Sequence, residues 1–363
     1  MKKFNVAVVG VGAVGEEMLR VLAERNFPVN ELRVFARSAR EIEVDGRKYA
    51  VLAISPEGFK GIDIALFAGT EGEKGASLTY APEAIKRGSV VIDNGVDFRM
   101  EKYVPLVVPE VNAVDIKKHK GIIANPNCST IQMVVALYPI YKKVGIKRII
   151  VTTLQASSGA GRGAVEQLFI ETEEIMKQFD SRSSILDPRL RVSSIEHPVS
   201  KSLPQQAAFN VFPQIGSFAE CDYTTEEWKM VKETQKIMHD NKIKISSTTV
   251  RVPVRTGHSE AIYLETKKFI SSDDVKKLLA KSSGIKVIDD PKNCLYPMPI
   301  DVEGKDDVFV GRVRNDPFVK TGLWLWVVAD NLRKGAATNA IQIAEELISP
   351  FFFKKDGKKN LGC

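Results

Sequence analysis

The sequence predicts an α/β protein in two parts: an N-terminal parallel sheet with helices on both faces, and an α+β part with a mostly antiparallel sheet. A length of 363 residues suits two domains. In the first third of the chain, short runs of Val, Ile and Leu alternate with helical segments, which is typical of a parallel sheet buried on both faces. Beyond Cys128 the β-rich runs are longer, notably at residues 147–155, 307–314 and 323–329, and they predict the second sheet.

The charge is more informative than the composition, which is that of an ordinary globular protein. The net charge is +7 and the sequence pI is about 9.0, yet Lys and Arg are spread along the chain and cluster only at residues 354–359. Basic motifs with interleaved aromatic residues are absent from the sequence. We therefore expect no nucleic-acid partner and favour anionic small molecules as ligands.

The cysteines indicate the compartment. They show no CxxC or Cys/His spacing, so we expect neither a disulfide framework nor a metal site, and a reducing, cytoplasmic setting; they are Cys128, Cys221, Cys294 and Cys363. The N-terminus enters a strand without a signal-peptide core, and no apolar run is long enough to cross a bilayer. We therefore expect no membrane partner.

The first predicted strand, residues 4–9, leads into a glycine-rich turn and a helix at residues 16–24. A G-x-G-x-x-G in this context is the dinucleotide fingerprint of a Rossmann-type domain, because glycine lets the backbone approach a pyrophosphate that the helix N-terminus then holds. A purely structural turn is the alternative. The cofactor candidates here are Gly10, Gly12, Ala13, Val14 and Gly15.

The second predicted strand, residues 32–36, indicates which dinucleotide is bound. An acidic residue near its end would bind the ribose 2′-hydroxyl of NAD, but the strand is followed by Arg37, Ser38 and Arg40. Two guanidinium groups and a hydroxyl suit a 2′-phosphate, so the sequence favours NADP. A solvated basic turn is the alternative.

Two later loops follow predicted strands at residues 62–68 and 89–93, which a helix at residues 81–87 separates. Open α/β sheets bind ligands at the carboxyl ends of their strands. Thr70 and Asn94 are therefore cofactor candidates, and Arg99 is a candidate anion contact or, alternatively, a solvated loop arginine.

Cys128 lies in the segment Asn-Pro-Asn-Cys-Ser-Thr-Ile-Gln, between a short strand at residues 122–124 and a helix that begins at Ser129 or Thr130. Free N–H groups and the positive end of the helix dipole favour a thiolate at such a place, and they can also hold an oxyanion. Cys128 is therefore a candidate nucleophile. The alternative is a small buried cysteine at a strand–helix junction.

The second part supplies candidate partners. Gln155 ends a β-run, and a small-residue loop at residues 157–163 leads into a helix at residues 164–179; an irregular stretch at residues 181–203 is a candidate subunit contact. A capping box, Thr224 with Glu227, opens the next helix, on which Glu226 and Lys229 share one face and are expected to form an exposed pair.

Residues 249–256 alternate in the manner of a strand, which places Arg251 and Arg255 on one face. His258 follows directly, so anion-binding and proton-transfer groups are concentrated here. After Asn331, residues 336–348 predict an amphipathic helix that Pro350 ends, and a frayed basic tail follows.

These segments together resemble the aspartate-β-semialdehyde dehydrogenase family, from Val6 to about Ile348. The resemblance rests on residue types and order in six segments: residues 10–15, 125–130, 155–161, 226–229, 251–258 and 329–336. It implies NADPH-dependent reduction of L-aspartyl-4-phosphate to the 4-semialdehyde with release of phosphate, in lysine (diaminopimelate), threonine and methionine biosynthesis.

The resemblance also implies a role for each matching residue. Cys128 would attack the acyl phosphate and form a thioester, His258 would act as general acid/base, and Gln155 would orient the substrate. Arg251 would bind the α-carboxylate and Glu226 the α-amino group, whereas phosphate would bind Arg99 and Lys229. The nicotinamide end of the cofactor would be flanked by Ser158, Gly159, Gly161 and Asn331.

For the domains, the resemblance implies an NADP-binding domain of residues 1–128 plus 332–350, a catalytic and dimerisation domain of residues 129–331, a basic tail at 351–363, and a homodimer. The chain departs from the family at Gly95-Val96, where small hydroxyl residues are common, and in the loop of residues 69–72. Cofactor and phosphate contacts in these two loops therefore stay open.

Three alternatives remain. N-acetyl-γ-glutamyl-phosphate reductase shares the plan and the Cys/His pair, but its acetylated amine would not need the Glu226 carboxylate. A phosphorylating dehydrogenase for a triose phosphate is more distant. A catalytically inactive paralogue that acts as an interaction protein would not be expected to keep Cys128, Gln155, Arg251 and His258 together.

Overall fold

The structure is a computed structural model that describes residues 2–69, 75–180 and 202–349 of the chain. The predictions for Thr70, for nearly all of the stretch at residues 181–203 and for the basic tail lie outside the described residues.

The N-terminal sheet is parallel apart from one edge hairpin. Within the described ranges its strand order is β3-β4-β2-β1-β5-β6-β7, and only the β3–β4 pair is antiparallel. The strands are β1 (Phe4–Val9), β2 (Val29–Ala36), β3 (Arg40–Val44), β4 (Arg47–Ala53), β5 (Ile64–Phe67), β6 (Val90–Asp93) and β7 (Ile122–Ala124). The edge hairpin was not predicted from the sequence.

The second sheet is mixed. In the part of the chain that the structure describes, its order is β11-β12-β13-β10-β8-β9, and the three inner pairs β12–β13, β13–β10 and β10–β8 are antiparallel. The strands are β8 (Ile146–Gln155), β9 (Lys244–Arg251), β10 (His258–Thr266), β11 (Ile285–Val287), β12 (Val308–Asn315) and β13 (Gly322–Ala329). The predicted strand at residues 249–256 is wrong beyond Arg251, since Pro253 has no N–H with which to continue a ladder.

The helices cover both sheets. They are α1 (Ala13–Glu24), α2 (Ala76–Lys86), α3 (Pro109–Asn112), α4 (Cys128–Val144), α5 (Arg162–Asp180), α6 (Thr225–Ile237), α7 (Ser272–Leu279), α8 (Pro299–Val302) and α9 (Thr338–Ile348). A single π-helical turn, Arg333–Ala337, precedes α9. The described α/β architecture agrees with the predicted fold class.

Two of the apolar clusters among the described residues show how these layers pack. Ile131 and Leu137 of α4 pack in one cluster with Ile149 of β8 and Ile262 of β10. The first sheet has its own cluster, which contains Val6 and Val8 of β1 and also Ile341 and Ala344 of α9. The last helix therefore packs on the N-terminal sheet. Full burial of each valine, leucine or isoleucine side chain contributes about 1.5–3 kcal/mol.

Candidate active site

Two adjoining cavities lie where the N-terminal sheet meets the second part. The larger, of about 820 Å³, is walled by the glycine-rich turn, by Arg37 and Arg40, and by Gly161. The smaller, of about 230 Å³, is lined by Cys128 and by most of the residues predicted to bind substrate. Ser158 and Gly159 line both, so the two cavities meet at that loop.

The turn after β1 is shaped for close approach of a ligand. Gly15 must be glycine, because a Cβ there would lie 1.9 Å from the carbonyl oxygen of Gly10. Gly12 is the N-cap of α1 and makes no side-chain cap, so the first N–H groups of that helix face the turn. The larger cavity therefore combines a helix N-terminus with two guanidinium groups. Ser38 is exposed and is not among the described residues that line this cavity.

Cys128 is the first residue of α4, so the helix begins slightly earlier than the predicted start at Ser129 or Thr130. Asn127 caps the helix: its Oδ1 accepts the N–H groups of Ser129 at 3.0 Å and Thr130 at 3.2 Å. Removal from water raises the pKa of the Cys128 thiol to about 12, and the nearby Glu226 carboxylate adds to this. Arg99, the Ser129 N–H and Lys229 oppose the shift but do not overcome it. The helix N-terminus does lower the pKa of the thiol through the Ser129 N–H, as predicted, but burial and Glu226 outweigh this effect.

His258 begins β10 and is fully buried. Its Nδ1 accepts the N–H of Ala156 at 3.1 Å, while Nε2 has no partner among the described residues. Burial lowers the pKa of the imidazole well below its ordinary value, and Arg251 acts in the same direction. The ring is therefore neutral at physiological pH, with its proton on Nε2. A Cβ on Gly159 would lie 3.0 Å from Nε2, so the imidazole lies against the loop that lines both cavities.

Gln155 and Glu226 meet beneath Cys128. The side-chain amide of Gln155 donates to Ser129 Oγ at 2.9 Å and to Glu226 Oε1 at 3.1 Å. Burial acts to raise the pKa of Glu226, but Lys229, Asn127 and Gln155 lower it below its ordinary value. Glu226 is therefore a buried carboxylate that faces the cavity.

The prediction of an exposed Glu226–Lys229 pair is wrong. Glu226 is 5% exposed, and Lys229 Nζ lies 3.4 Å from Glu226 Oε2 with both residues in the cavity wall. The pair looked like an ordinary surface pair because spacing on one helix cannot show what packs against that face. Here the N-terminus of α4 does so.

Arg99 and Arg251 approach the site from different sheets. Arg99 is buried and donates to the Asn94 carbonyl at 2.7 Å, so the loop after β6 does reach the smaller cavity. Arg251 ends β9 beside Gln155, and its guanidinium donates to the Ala156 carbonyl. Arg255, predicted to share its face, is instead exposed and pairs with Glu303.

Asn331 ties the small-residue loop to the turn before β10. Its Nδ2 donates to Ser158 Oγ at 3.0 Å, and its Oδ1 accepts the N–H of Gly257 at 2.9 Å. Ser158 and Asn331 therefore lie together at the junction of the two cavities.

Sequence patterns missed Asn127, Ser129 and Glu233 as parts of this site; only the seven-residue spacing of Glu226 and Glu233 on one helix face was available as a signal.

The described residues show neither a metal-binding cluster nor a membrane-spanning helix. Those residues hold no group of three or more His, Cys, Asp or Glu side chains that could bind a metal ion. Within residues 2–69, 75–180 and 202–349, none of the helices has the length and apolarity needed to cross a membrane.

Comparison with known proteins shows to which family the chain belongs. The family model described as "Semialdehyde dehydrogenase, NAD binding domain" matches residues 5–119, and "Semialdehyde dehydrogenase, dimerisation domain" matches residues 137–334. The aspartate-semialdehyde dehydrogenase of Aquifex aeolicus is 52% identical over 95% of this chain and 98% of its own length. The chain belongs to the aspartate-semialdehyde dehydrogenase family. The aspartate-semialdehyde dehydrogenase of Bacillus subtilis is 47% identical to this chain, over 94% of this chain and 97% of its own length.

Solved structures in this family agree with the fold. Aspartate semialdehyde dehydrogenase II from Vibrio cholerae superposes with a TM-score of 0.85 at 45% identity, over 96% of this chain and 99% of that one, and it has also been solved "complexed with ASA". The Candida albicans enzyme "with NADP" gives a TM-score of 0.67 at 24% identity, over 95% of this chain and 98% of that one, a likeness of fold alone. These matches confirm the family resemblance and the two-part α/β architecture.

Proposed function

We propose that this chain catalyses the reversible NADPH-dependent reductive dephosphorylation of L-aspartyl-4-phosphate to L-aspartate-4-semialdehyde, within lysine, threonine and methionine biosynthesis. One observation supports this most strongly. The cavity that holds Cys128 also holds a carboxylate, Glu226, and two cations, Arg99 and Lys229, and it opens onto the pocket of the glycine-rich turn. An amino acid that carries a phosphate needs this combination of charges beside a hydride donor.

NADP fits the larger cavity. The close backbone approach at Gly15 and the free N–H groups of α1 suit a pyrophosphate, and Arg37 and Arg40 in the wall suit a 2′-phosphate. We propose that Ser158, Gly159, Gly161 and Asn331 flank the nicotinamide end. When bound, the cofactor supplies the hydride in the direction of reduction and accepts it in the reverse direction.

In the proposed mechanism, Cys128 Sγ attacks the acyl carbon and displaces phosphate, which Arg99 and Lys229 bind. The resulting thioester is the group that is reduced, and collapse of the thiohemiacetal releases the semialdehyde and restores the thiol. Arg251 binds the α-carboxylate, and Gln155, which ends β8 beside Arg251, orients the substrate. The step balances because the acyl C–O bond breaks as the C–S bond forms, and the thiol proton leaves with the phosphate as hydrogen phosphate.

Binding of the substrate ammonium group at Glu226 would help to ionise the nucleophile. Its carboxylate is one cause of the raised thiol pKa, and the substrate ammonium group would neutralise it on binding. The thiol pKa would then fall when substrate is present. His258, neutral and protonated on Nε2, is set to donate a hydrogen bond or proton to the oxygen of the tetrahedral intermediate.

The direct test of the activity mixes the purified protein with aspartate semialdehyde, phosphate and either NADP or NAD, and follows nicotinamide absorbance. We expect reduction of NADP that depends on phosphate. N-acetylglutamate semialdehyde serves as the alternative substrate. Faster turnover of the acetylated compound would favour the N-acetyl-γ-glutamyl-phosphate reductase instead, and no turnover of either would favour the inactive paralogue.

We also propose a homodimer formed through the second part of the chain and a cytoplasmic location. The dimer is supported by the match of residues 137–334 to the dimerisation model. The location is supported by cysteines that are scattered in the sequence. Light scattering after size exclusion should give twice the chain mass of 40.2 kDa; the mass of a single chain would contradict the dimer.

A further inference from the structure

Glu233 is a buried carboxylate that touches two parts of the site at once. It lies on α6, seven residues after Glu226 and therefore on the same helix face. Its Oε1 accepts a hydrogen bond from Arg99 Nη1 at 3.0 Å, and its Oε2 accepts the backbone N–H of Asn127 at 2.7 Å. Its side chain is 1% exposed. One carboxylate thus joins the candidate phosphate-binding arginine to the residue before Cys128.

Asn127 is held twice by the same helix. Its backbone N–H binds Glu233, and its side-chain amide donates to Glu226 Oε1 at 2.8 Å. Two contacts with α6 therefore fix the cap of α4, and with it the start of the helix at Cys128. The contacting residues, Glu226 and Glu233, lie about one helical turn before and after Lys229. Movement of Glu233 would shift the nucleophile relative to the cations.

The guanidinium group of Arg99 has few other hydrogen-bond partners in the described part of the chain. Its Nη2 donates to the Asn94 carbonyl at 2.7 Å, and its buried Nε has no partner there. Without Glu233, the charge of the Glu226 carboxylate still acts on Arg99. A guanidinium released from Glu233 would therefore turn toward Glu226 and would occupy the group that we assign to the substrate ammonium.

We propose that Glu233 is a positioning residue for the phosphate step: it fixes Arg99 relative to Cys128 and keeps Arg99 apart from Glu226. This inference rests on the proposed function, because it assumes that Arg99 binds phosphate. Glu233 touches neither substrate nor cofactor in this scheme. It acts through Arg99 and Asn127, each of which uses a separate oxygen of its carboxylate.

The test compares Glu233→Gln with Glu173→Gln, the same chemical change on the exposed face of α5. The amide can still accept the Asn127 N–H but cannot form the ion pair with Arg99. For Glu233→Gln we expect the KM for phosphate, measured with semialdehyde and NADP, to rise about tenfold while the KM for NADP changes less than about twofold. Thermal unfolding checks that both variants fold.

A double-variant cycle with Arg99→Lys separates positioning from a general structural role. If Glu233 acts through Arg99, the effect of Glu233→Gln on the phosphate KM should shrink to less than about twofold in the Arg99→Lys background. An unchanged or lower phosphate KM in Glu233→Gln, or additive effects in the cycle, would overturn the inference. Absence of phosphate-dependent activity in the unmodified protein would instead overturn the proposed function itself.

Discussion

Asn127 caps the helix that begins at Cys128 and, through its side-chain amide, donates a hydrogen bond of 2.8 Å to Glu226 Oε1. The residue that positions the nucleophile thus also contacts the carboxylate that we assign to the substrate amine. Because Glu226 raises the pKa of the Cys128 thiol, occupation of the amine site and ionisation of the thiol are coupled.

Glu226→Gln should make Cys128 more reactive in the absence of substrate. Burial is the main cause that raises the thiol pKa to about 12; the variant removes the negative charge that adds to this effect, yet it keeps an acceptor for Asn127 and Gln155. A fall of about one pKa unit gives about a tenfold higher thiolate fraction at pH 8. The measurement is the rate of Cys128 alkylation by iodoacetamide between pH 7 and about 10.

The same alkylation assay has a control and a contrary outcome. Cys221 is exposed and provides an internal reference, because Glu226 should not affect its rate. An alkylation rate at Cys128 that is unchanged, or lower, in Glu226→Gln would show that the carboxylate does not hold the thiol protonated. Semialdehyde oxidation should fall in the same variant, because the substrate ammonium loses its partner.

Glu260 should make the protein less stable as pH rises. Burial raises the pKa of this carboxyl well above its ordinary value, and the side chain of Gln132 opposes the shift only weakly, since neither carboxyl oxygen has a well-aligned hydrogen bond among the described residues. The folded state then binds a proton that the unfolded state releases above about pH 4.3, so stability falls as pH rises from there to the folded-state pKa. Each unit between the two pKa values corresponds to about 1.4 kcal/mol.

Glu260→Gln removes that titration. We expect its melting temperature to exceed that of the unmodified protein by more at pH 8 than at pH 5, because the amide stays neutral and can donate to the unpartnered Oε1 of Gln132. Differential scanning calorimetry at the two pH values makes the comparison. A rise in melting temperature that is equal at both pH values would mean that Glu260 does not titrate between these pH values.

Arg37→Ala should weaken the binding of NADP more than the binding of NAD. Arg37 lines the larger cavity at the end of β2, where a ribose 2′-phosphate would lie. Loss of one charge-assisted contact should raise the KM for NADP about tenfold and leave that for NAD within about twofold. Equal changes for the two cofactors, measured with saturating semialdehyde and phosphate, would argue against 2′-phosphate recognition by Arg37.

Cys128→Ala should abolish turnover without loss of cofactor binding. The loss should be at least about a thousandfold in kcat, because the thioester cannot form. NADP affinity, followed by quenching of intrinsic tryptophan fluorescence, should stay near normal, since Cys128 does not line the larger cavity. A variant that keeps most of its activity would exclude Cys128 as the nucleophile.

Local patterns predicted the elements that carry the site. The glycine-rich turn, the cysteine at the start of α4, and Gln155 at the end of β8 follow from periodicity and capping rules, which depend on near neighbours in the chain. The same rules extended β9 too far, because clean alternation beyond Arg251 concealed the effect of Pro253.

The electrostatics of the site could not be predicted in this way. Arg99 and Glu233 lie 134 residues apart in the chain, and Asn127 and Glu226 lie 99 apart, so no local pattern pairs them. The raised pKa of Cys128 has the same origin, since it depends on burial and on a carboxylate brought in by α6. A helix N-terminus alone predicts a shift in the opposite direction.

Covalent catalysis by Cys128 can be tested directly by mass spectrometry of the protein after mixing with aspartate semialdehyde and NADP in the absence of phosphate. Oxidation of the thiohemiacetal should release NADPH and leave a β-aspartyl thioester that no phosphate can cleave. We expect one acyl group per chain, on the peptide that contains Cys128, and its loss when phosphate is added. Formation of NADPH with Cys128 unmodified would exclude a thioester at this cysteine.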